Sequence, residues 1–302
     1  MNGEAGESGA LVESVYRDSH RLRVATGELS YRRLGAGRPV VLVHGIPLSL
    51  LTWRRVQPLL AEHLDTLALD LPGFGRSSRE LSDRSPGGLA LALASVLDRL
   101  GLAEVDLVGS SFGCAPAVHL AVQEPERVRS LALINSVGAG GGRHSLERLV
   151  RIGALRALIS RALSSRRTGR RLFEGRLRAS FSQPRAASPA VVEAYWSLLS
   201  APGGAEAFLG TLRQFDERAL ERLFSRLQVP TLILWGDADR VLPLGHAERL
   251  RRAIPGSRLE VLAGCGHLPQ EERPEEVVQV LLEFWAGLGD AAREARPAEL
   301  VG

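Results

Sequence analysis

Short, unbroken aliphatic runs recur along this chain, separated by helical or glycine-rich stretches. That rhythm limits the fold more than any other feature. Pro39-Val40-Val41-Leu42-Val43 is apolar and β-branched with no polar alternation, the pattern of a strand covered on both faces. Thr66–Leu71, Val105–Val108, Val128–Ile134, Val229–Trp235 and Arg258–Leu262 are further strand candidates. Gly88–Leu100, Phe112–Gln123, Pro243–Ala253 and Pro274–Leu288 lie between or after these runs and carry helical spacing. Such alternation with short junctions predicts an α/β fold with a mostly parallel central sheet flanked by helices. Arg21–Thr26 and Leu29–Leu34, around Gly27-Glu28, predict a hairpin ahead of it.

One stretch breaks the rhythm. From residue 138 to 224 no strand is expected. Gly138-Ala139-Gly140-Gly141-Gly142 opens it, followed by helical segments at Leu146–Leu163, Arg170–Ser180, Pro189–Leu199 and Ala205–Phe215. This reads as a helical cap inserted after the sixth strand. The expected organisation is a flexible N-terminal segment over 1–18, a core over 19–137 and 225–290, the cap over 138–224, and a tail over 291–302.

Composition excludes several classes. A chain of 302 residues, 45% hydrophobic and 24% charged, can bury a large core and is not disordered. Cys114 and Cys265 are too few for a disulfide scaffold or a cysteine-rich zinc site. No G-x-G-x-x-G follows the first parallel strand, and a chain without lysine has no P-loop. All 38 basic residues are arginine, and the net charge is +4. No zinc-finger spacing or RNP-like motif accompanies them, so nucleic acid is not an expected partner. The first residues carry no basic start or apolar run, and no 18-residue apolar stretch follows, so neither a secretory signal nor a membrane span is expected. A cytoplasmic protein is the expectation.

The chemistry concentrates at Gly109-Ser110-Ser111-Phe112-Gly113, a G-x-S-x-G pentapeptide directly after a strand and before a helix. A tight strand-to-helix turn presents the central serine on a strained backbone, with helix-end amides beneath the developing charge. Ser111 is therefore the candidate nucleophile. A serine at its free pKa needs a base held by an acid. The loop Trp235-Gly236-Asp237-Ala238-Asp239 offers two acids, and Gly264-Cys265-Gly266-His267 offers the base. Both loops belong at the carboxyl-end face of the sheet. Spacing alone leaves Asp237 and Asp239 open. For an oxyanion hole, the Phe112 amide follows the nucleophile, and the Ile46 amide sits in His44-Gly45-Ile46-Pro47. His44 is expected to tie that loop down rather than act as a base.

Together these pieces resemble the α/β-hydrolase superfamily in its helical-cap branch, over roughly Arg21 to Leu288. The resemblance implies Asp239 as the acid, completing Ser111–Asp239–His267, and a structural role for Asp70–Ser77. It implies no cofactor and no metal. Family dehalogenases and epoxide hydrolases carry aspartate at the elbow, and epoxide hydrolases resemble one another in paired cap tyrosines. Ser111 and the single cap tyrosine, Tyr195, point away from both. The expected activity is hydrolysis of a carboxylic ester in a small-molecule substrate through an acyl-serine. The alternatives are a carbon–carbon bond hydrolase of a ring-cleavage product, and a non-catalytic ligand-binding protein. A homodimer is compatible with the sequence.

Between Arg143 and Arg178 stand eleven arginines against Glu147 and Glu174. This is a solvated face, a field that steers an anionic substrate, or a contact to acidic lipid or a partner. Leu149, Ile152, Leu155, Leu158, Ile159 and Leu163, at spacings of three and four, are expected to bury against the sheet domain.

Overall fold

A computed structural model describes residues 2–25, 27–80, 82–140 and 153–294. Its strands are β1 (Ser19–Val24), β2 (Gly27–Leu34), β3 (Pro39–Val43), β4 (Asp65–Leu69), β5 (Val105–Ser110), β6 (Val128–Ile134), β7 (Thr231–Gly236) and β8 (Arg258–Leu262). They form one eight-stranded sheet in the order β1-β2-β4-β3-β5-β6-β7-β8. β1 and β2 make the expected hairpin, β2 runs antiparallel to β4, and the remaining neighbours pair in parallel.

The unbroken apolar strands serve two cores. Val41, Val43, Leu67, Leu69 and Trp235 face a layer that includes α3 (Pro86–Arg99) and α4 (Cys114–Gln123). Their neighbours Val40, Leu42, Ala68 and Leu234 face the other layer, with α2 (Val56–Ala61) and the last helix, Pro274–Glu294. Period-two side chains on a sheet buried on both sides leave no polar register. Local chemistry sets the helix ends: Ser85 Oγ accepts from the Gly88 amide at 3.1 Å and Pro86 occupies the first turn of α3.

The helical insertion lies between β6 and β7, as expected. It contains α5 (Gly153–Leu163), α6 (Thr168–Ala179), α7 (Pro189–Leu199), α8 (Gly204–Gln214) and α9 (Glu217–Phe224). Residues 146–152 of the first expected cap helix, and Gly141-Gly142, lie outside the described residues. The sequence reading missed α9, which starts where Asp216 caps the Arg218 and Ala219 amides. Leu220 and Phe224 of α9 sit in the core layer with α3 and α4, so the insertion rejoins the core before residue 224.

Two expectations are corrected. The segment 1–18 is helical over Asn2–Tyr16, here α1, and packs on α7. Its small polar residues hide Val12, Val15 and Tyr16 at helical spacing, and all three are buried. In the cap, Leu158 does not bury: it is 64% exposed. Leu155, Ile159 and Leu163 are half-buried, and Leu149 and Ile152 lie outside the described residues.

Candidate active site

β5 runs straight into a short 3-10 turn, Ser111–Gly113, and then α4. Ser111 sits at φ +52°, in the left-handed region that L side chains rarely adopt. The flanking glycines are sterically required. A Cβ on Gly109 would lie 2.7 Å from the Cys114 backbone nitrogen, and one on Gly113 would strike the carbonyls of Val43 and His44.

The loop after β7 carries Asp239 and the loop after β8 carries His267. The fold brings both to Ser111. His267 Nδ1 lies 2.7 Å from Asp239 Oδ2, and Nε2 lies 3.0 Å from Ser111 Oγ. With the Nδ1–H donating to the carboxylate, Nε2 is left to accept the serine hydroxyl. Asp239 Oδ1 accepts the Val241 and Leu242 amides at 2.7 and 2.9 Å. Burial alone would push this carboxyl up. The His267 hydrogen bond and charge, the Leu242 amide and Asn135 outweigh it and hold Asp239 below the ordinary carboxylate value. Asp237, the rival acid, is exposed and accepts the Gly264 amide at 2.6 Å, bracing the two loops away from the histidine.

Asn135 was not anticipated. It directly follows β6 at φ +45°, donates from Nδ2 to Asp239 Oδ2 at 2.6 Å, and accepts the Gly236 amide on Oδ1 at 3.3 Å. The one sequence signal was an asparagine just past a strand end, a residue type that tolerates the left-handed region.

The loop holding Ile46 presses on the serine turn: a Cβ on Gly45 would lie 2.9 Å from Ser111 Cβ. His44 ties this loop down, as expected. Its Nδ1–H donates to the Gly45 carbonyl and its Nε2 accepts the Leu71 amide, both at 2.9 Å. Burial lowers its pKa to about 4, so the ring is neutral at pH 7. Asp70–Ser77 is likewise structural. The Asp70 carboxylate accepts the Leu50 and Arg76 amides, both at 2.8 Å, and the Tyr16 hydroxyl of α1.

The cap reaches the site through backbone and side chain. The His267 amide donates to the Ser180 carbonyl at 2.7 Å. Glu272 accepts the Gly266 amide at 2.8 Å and the Ser182 amide at 2.9 Å, clamping the histidine loop to the cap. Phe215 meets Phe112 edge-to-face at 5.4 Å. Tyr195 is fully buried and donates to Glu271, which also pairs with Arg54, so the cap tyrosine serves as a tether. Among the described residues no cluster of three or more His, Cys, Asp or Glu side chains is placed to hold a metal ion. No described helix is long and apolar enough to cross a membrane.

A family model described as the alpha/beta hydrolase fold matches residues 38–274, and the chain belongs to that family. The 2-hydroxy-6-oxo-2,4-heptadienoate hydrolase of Pseudomonas putida is 32% identical over 295 residues, covering 90% of this chain and 98% of that protein. A 2-hydroxy-6-oxononadienedioate/2-hydroxy-6-oxononatrienedioate hydrolase of Pseudomonas putida is 31% identical over 286 residues, covering 87% of this chain and 94% of the relative. Among solved structures, a thermophilic esterase from Thermogutta terrifontis superposes with a TM-score of 0.75 at 27% identity, over 89% of this chain and 98% of that one. The chain is an enzyme of hydrolase type, which sets aside the non-catalytic reading.

Proposed function

We propose that this chain hydrolyses the carbon–carbon bond beside the 6-keto group of a 2-hydroxy-6-oxo-dienoate, a ring-cleavage product. The near full-length similarity to two hydrolases of such compounds carries this reading. It moves the weight from the ester hydrolysis expected from motifs alone to the alternative. The Ser111–His267–Asp239 geometry supplies the machinery.

Ser111 acts as nucleophile, His267 as base and Asp239 as the acid that fixes the imidazole tautomer. The dienol first ketonises: the 2-hydroxyl gives up its proton and C5 gains one. Ser111 Oγ then adds to C6 as His267 takes its proton. The C6 carbonyl electrons move to oxygen, where the Ile46 and Phe112 amides are the proposed donors. Collapse breaks the C5–C6 bond, and the electron pair flows through C3–C4 to the C2 oxygen, which is reprotonated as the dienol. The acyl group stays on Ser111 until water, deprotonated by His267, releases it as a carboxylic acid. One water is consumed overall, with no redox change.

Ester hydrolysis is the second reading, supported by the similarity to an esterase. It uses the same steps with an alkoxide as leaving group. The test compares kcat/KM of the wild type for 2-hydroxy-6-oxohepta-2,4-dienoate, followed by loss of its visible absorbance, with that for p-nitrophenyl acetate. The carbon–carbon reading expects the dienoate to win by on the order of 100-fold or more. A reversed preference, or an unchanged dienoate spectrum, rejects it for the ester reading.

A further inference from the structure

The motif-rich loops leave the arginine-dense part of the cap unexplained. In α6, Thr168, Arg171, Leu172, Gly175 and Arg176 are all exposed. Their spacings of three, four, seven and eight place them on one helix face. The opposite positions, Gly169, Phe173 and Leu177, are buried. The neighbouring α5, which packs on α6, exposes Ala157, Leu158, Arg161 and then Ser164 just past its end. Arg167 is exposed between the two helices.

Among the described residues, the charge of Arg161, Arg167, Arg171 and Arg176 is not cancelled. The nearby acids Glu174 and Glu193 are turned toward Arg170 and Arg178, at 2.8 to 3.2 Å. Glu206 faces Arg156 at 3.9 Å. Arg161, Arg167, Arg171 and Arg176 make no ion pair with any described residue. A solvated helix face normally interleaves both signs. Large apolar side chains are set among these cations: Leu158 is 64% exposed and Leu172 is 55% exposed. Small residues, Ala157 and Gly175, stand beside them on the same faces. Cations that want an anionic counter-surface and leucines that want an apolar one meet both needs at the headgroup–acyl boundary of an anionic bilayer. A polyanion such as duplex DNA or an acidic peptide would satisfy the arginines and leave the leucines in water.

We propose that the α5–α6 face of the cap docks peripherally on anionic phospholipid. The contact is independent of which bond the enzyme breaks and uses no residue of the Ser111 site. It is reversible: arginines draw the cap to the leaflet and the leucines enter it.

The test is co-sedimentation of the whole chain with vesicles of phosphatidylcholine alone or mixed with phosphatidylglycerol, at low and high salt. Binding is expected only with phosphatidylglycerol present, and it should weaken as salt rises. Each arginine near the leaflet strengthens binding about fivefold, so R167S/R171S/R176S should lose on the order of 100-fold. L158S/L172S should lose about tenfold, through apolar area no longer buried. Unchanged turnover of p-nitrophenyl acetate or the dienoate checks that both variants are folded. Should the triple variant misfold, R171S and R176S measured singly carry the same expectation of about fivefold each. Wild type that ignores phosphatidylglycerol vesicles at low salt overturns the proposal, as does an arginine variant that binds them like wild type. Equal affinity for duplex DNA or polyglutamate, with no effect of L158S/L172S, overturns the lipid and reassigns the face to a polyanion.

Discussion

Asn135 shows how much of the site hangs on one side chain. It holds Asp239 Oδ2 at 2.6 Å, the oxygen that also receives the His267 Nδ1–H. Asn135→Ala removes a hydrogen bond to a charged, buried acceptor. kcat should fall roughly 10- to 100-fold with KM nearly constant. Steady-state kinetics with circular dichroism check this, and unchanged kcat would remove Asn135 from the positioning of the acid. His44 gives a pH signature. Burial sets its folded pKa at about 4, below the ordinary value of 6.5, so the unfolded chain binds its proton more readily. Its contribution to stability is complete above about 6.5 and declines as pH falls toward 4, by about 3 kcal/mol in all. Denaturant titrations across that window should show the loss, and His44→Gln should flatten it. The meeting of Ser111, Asp239 and His267 was legible because a nucleophile elbow and two loops after strands leave recurrent sequence traces. Asn135 was not, because its partner lies far along the chain and only β6–β7 pairing brings the two together. The choice between Asp237 and Asp239 needed the resemblance for the same reason: both follow one strand, and the geometry of the turn decides.

Among elements, the short helical turn Pro269–Glu272 links cap and histidine loop. Glu272 takes amides from both Gly266 and Ser182, while Ser180 takes the His267 amide. Glu272→Ala leaves two amides without that acceptor and frees the histidine loop from the cap. kcat should drop roughly tenfold, and burst kinetics should show slowed acylation. A variant with wild-type kcat would mean that the Ser180 contact suffices. The strands and most helices were readable from apolar runs and helical spacing, as with α7, whose start the structure caps with Ser188. Leu158 misled, because helical periodicity marks an apolar stripe but does not say what covers it. α9 was missed because Asp216 begins a new helix only two residues after α8 ends.

For the molecule as a whole, α1 joins three parts of the fold. Val12, Val15 and Tyr16 are buried in the layer shared by α2, α7 and the last helix, and the Tyr16 hydroxyl bonds Asp70, directly after β4. Removing residues 1–17 should cost about 4 kcal/mol, from the apolar area of those three side chains and the lost bond. Differential scanning calorimetry should then show Tm lower by roughly 6 °C. An unchanged Tm would make α1 an ornament. No short-range signal in a small-residue helix reveals such a tie, because its partners lie across the fold. The most direct measurement at this scale is turnover of 2-hydroxy-6-oxohepta-2,4-dienoate by the wild type beside Ser111→Ala at matched concentration. Catalysis through an acyl-Ser111 predicts that the wild type bleaches the dienoate and releases acetate one for one. The variant should lose on the order of 1000-fold or more in kcat while still binding the substrate. A Ser111→Ala protein that bleaches the dienoate and releases acetate at the wild-type rate would contradict it.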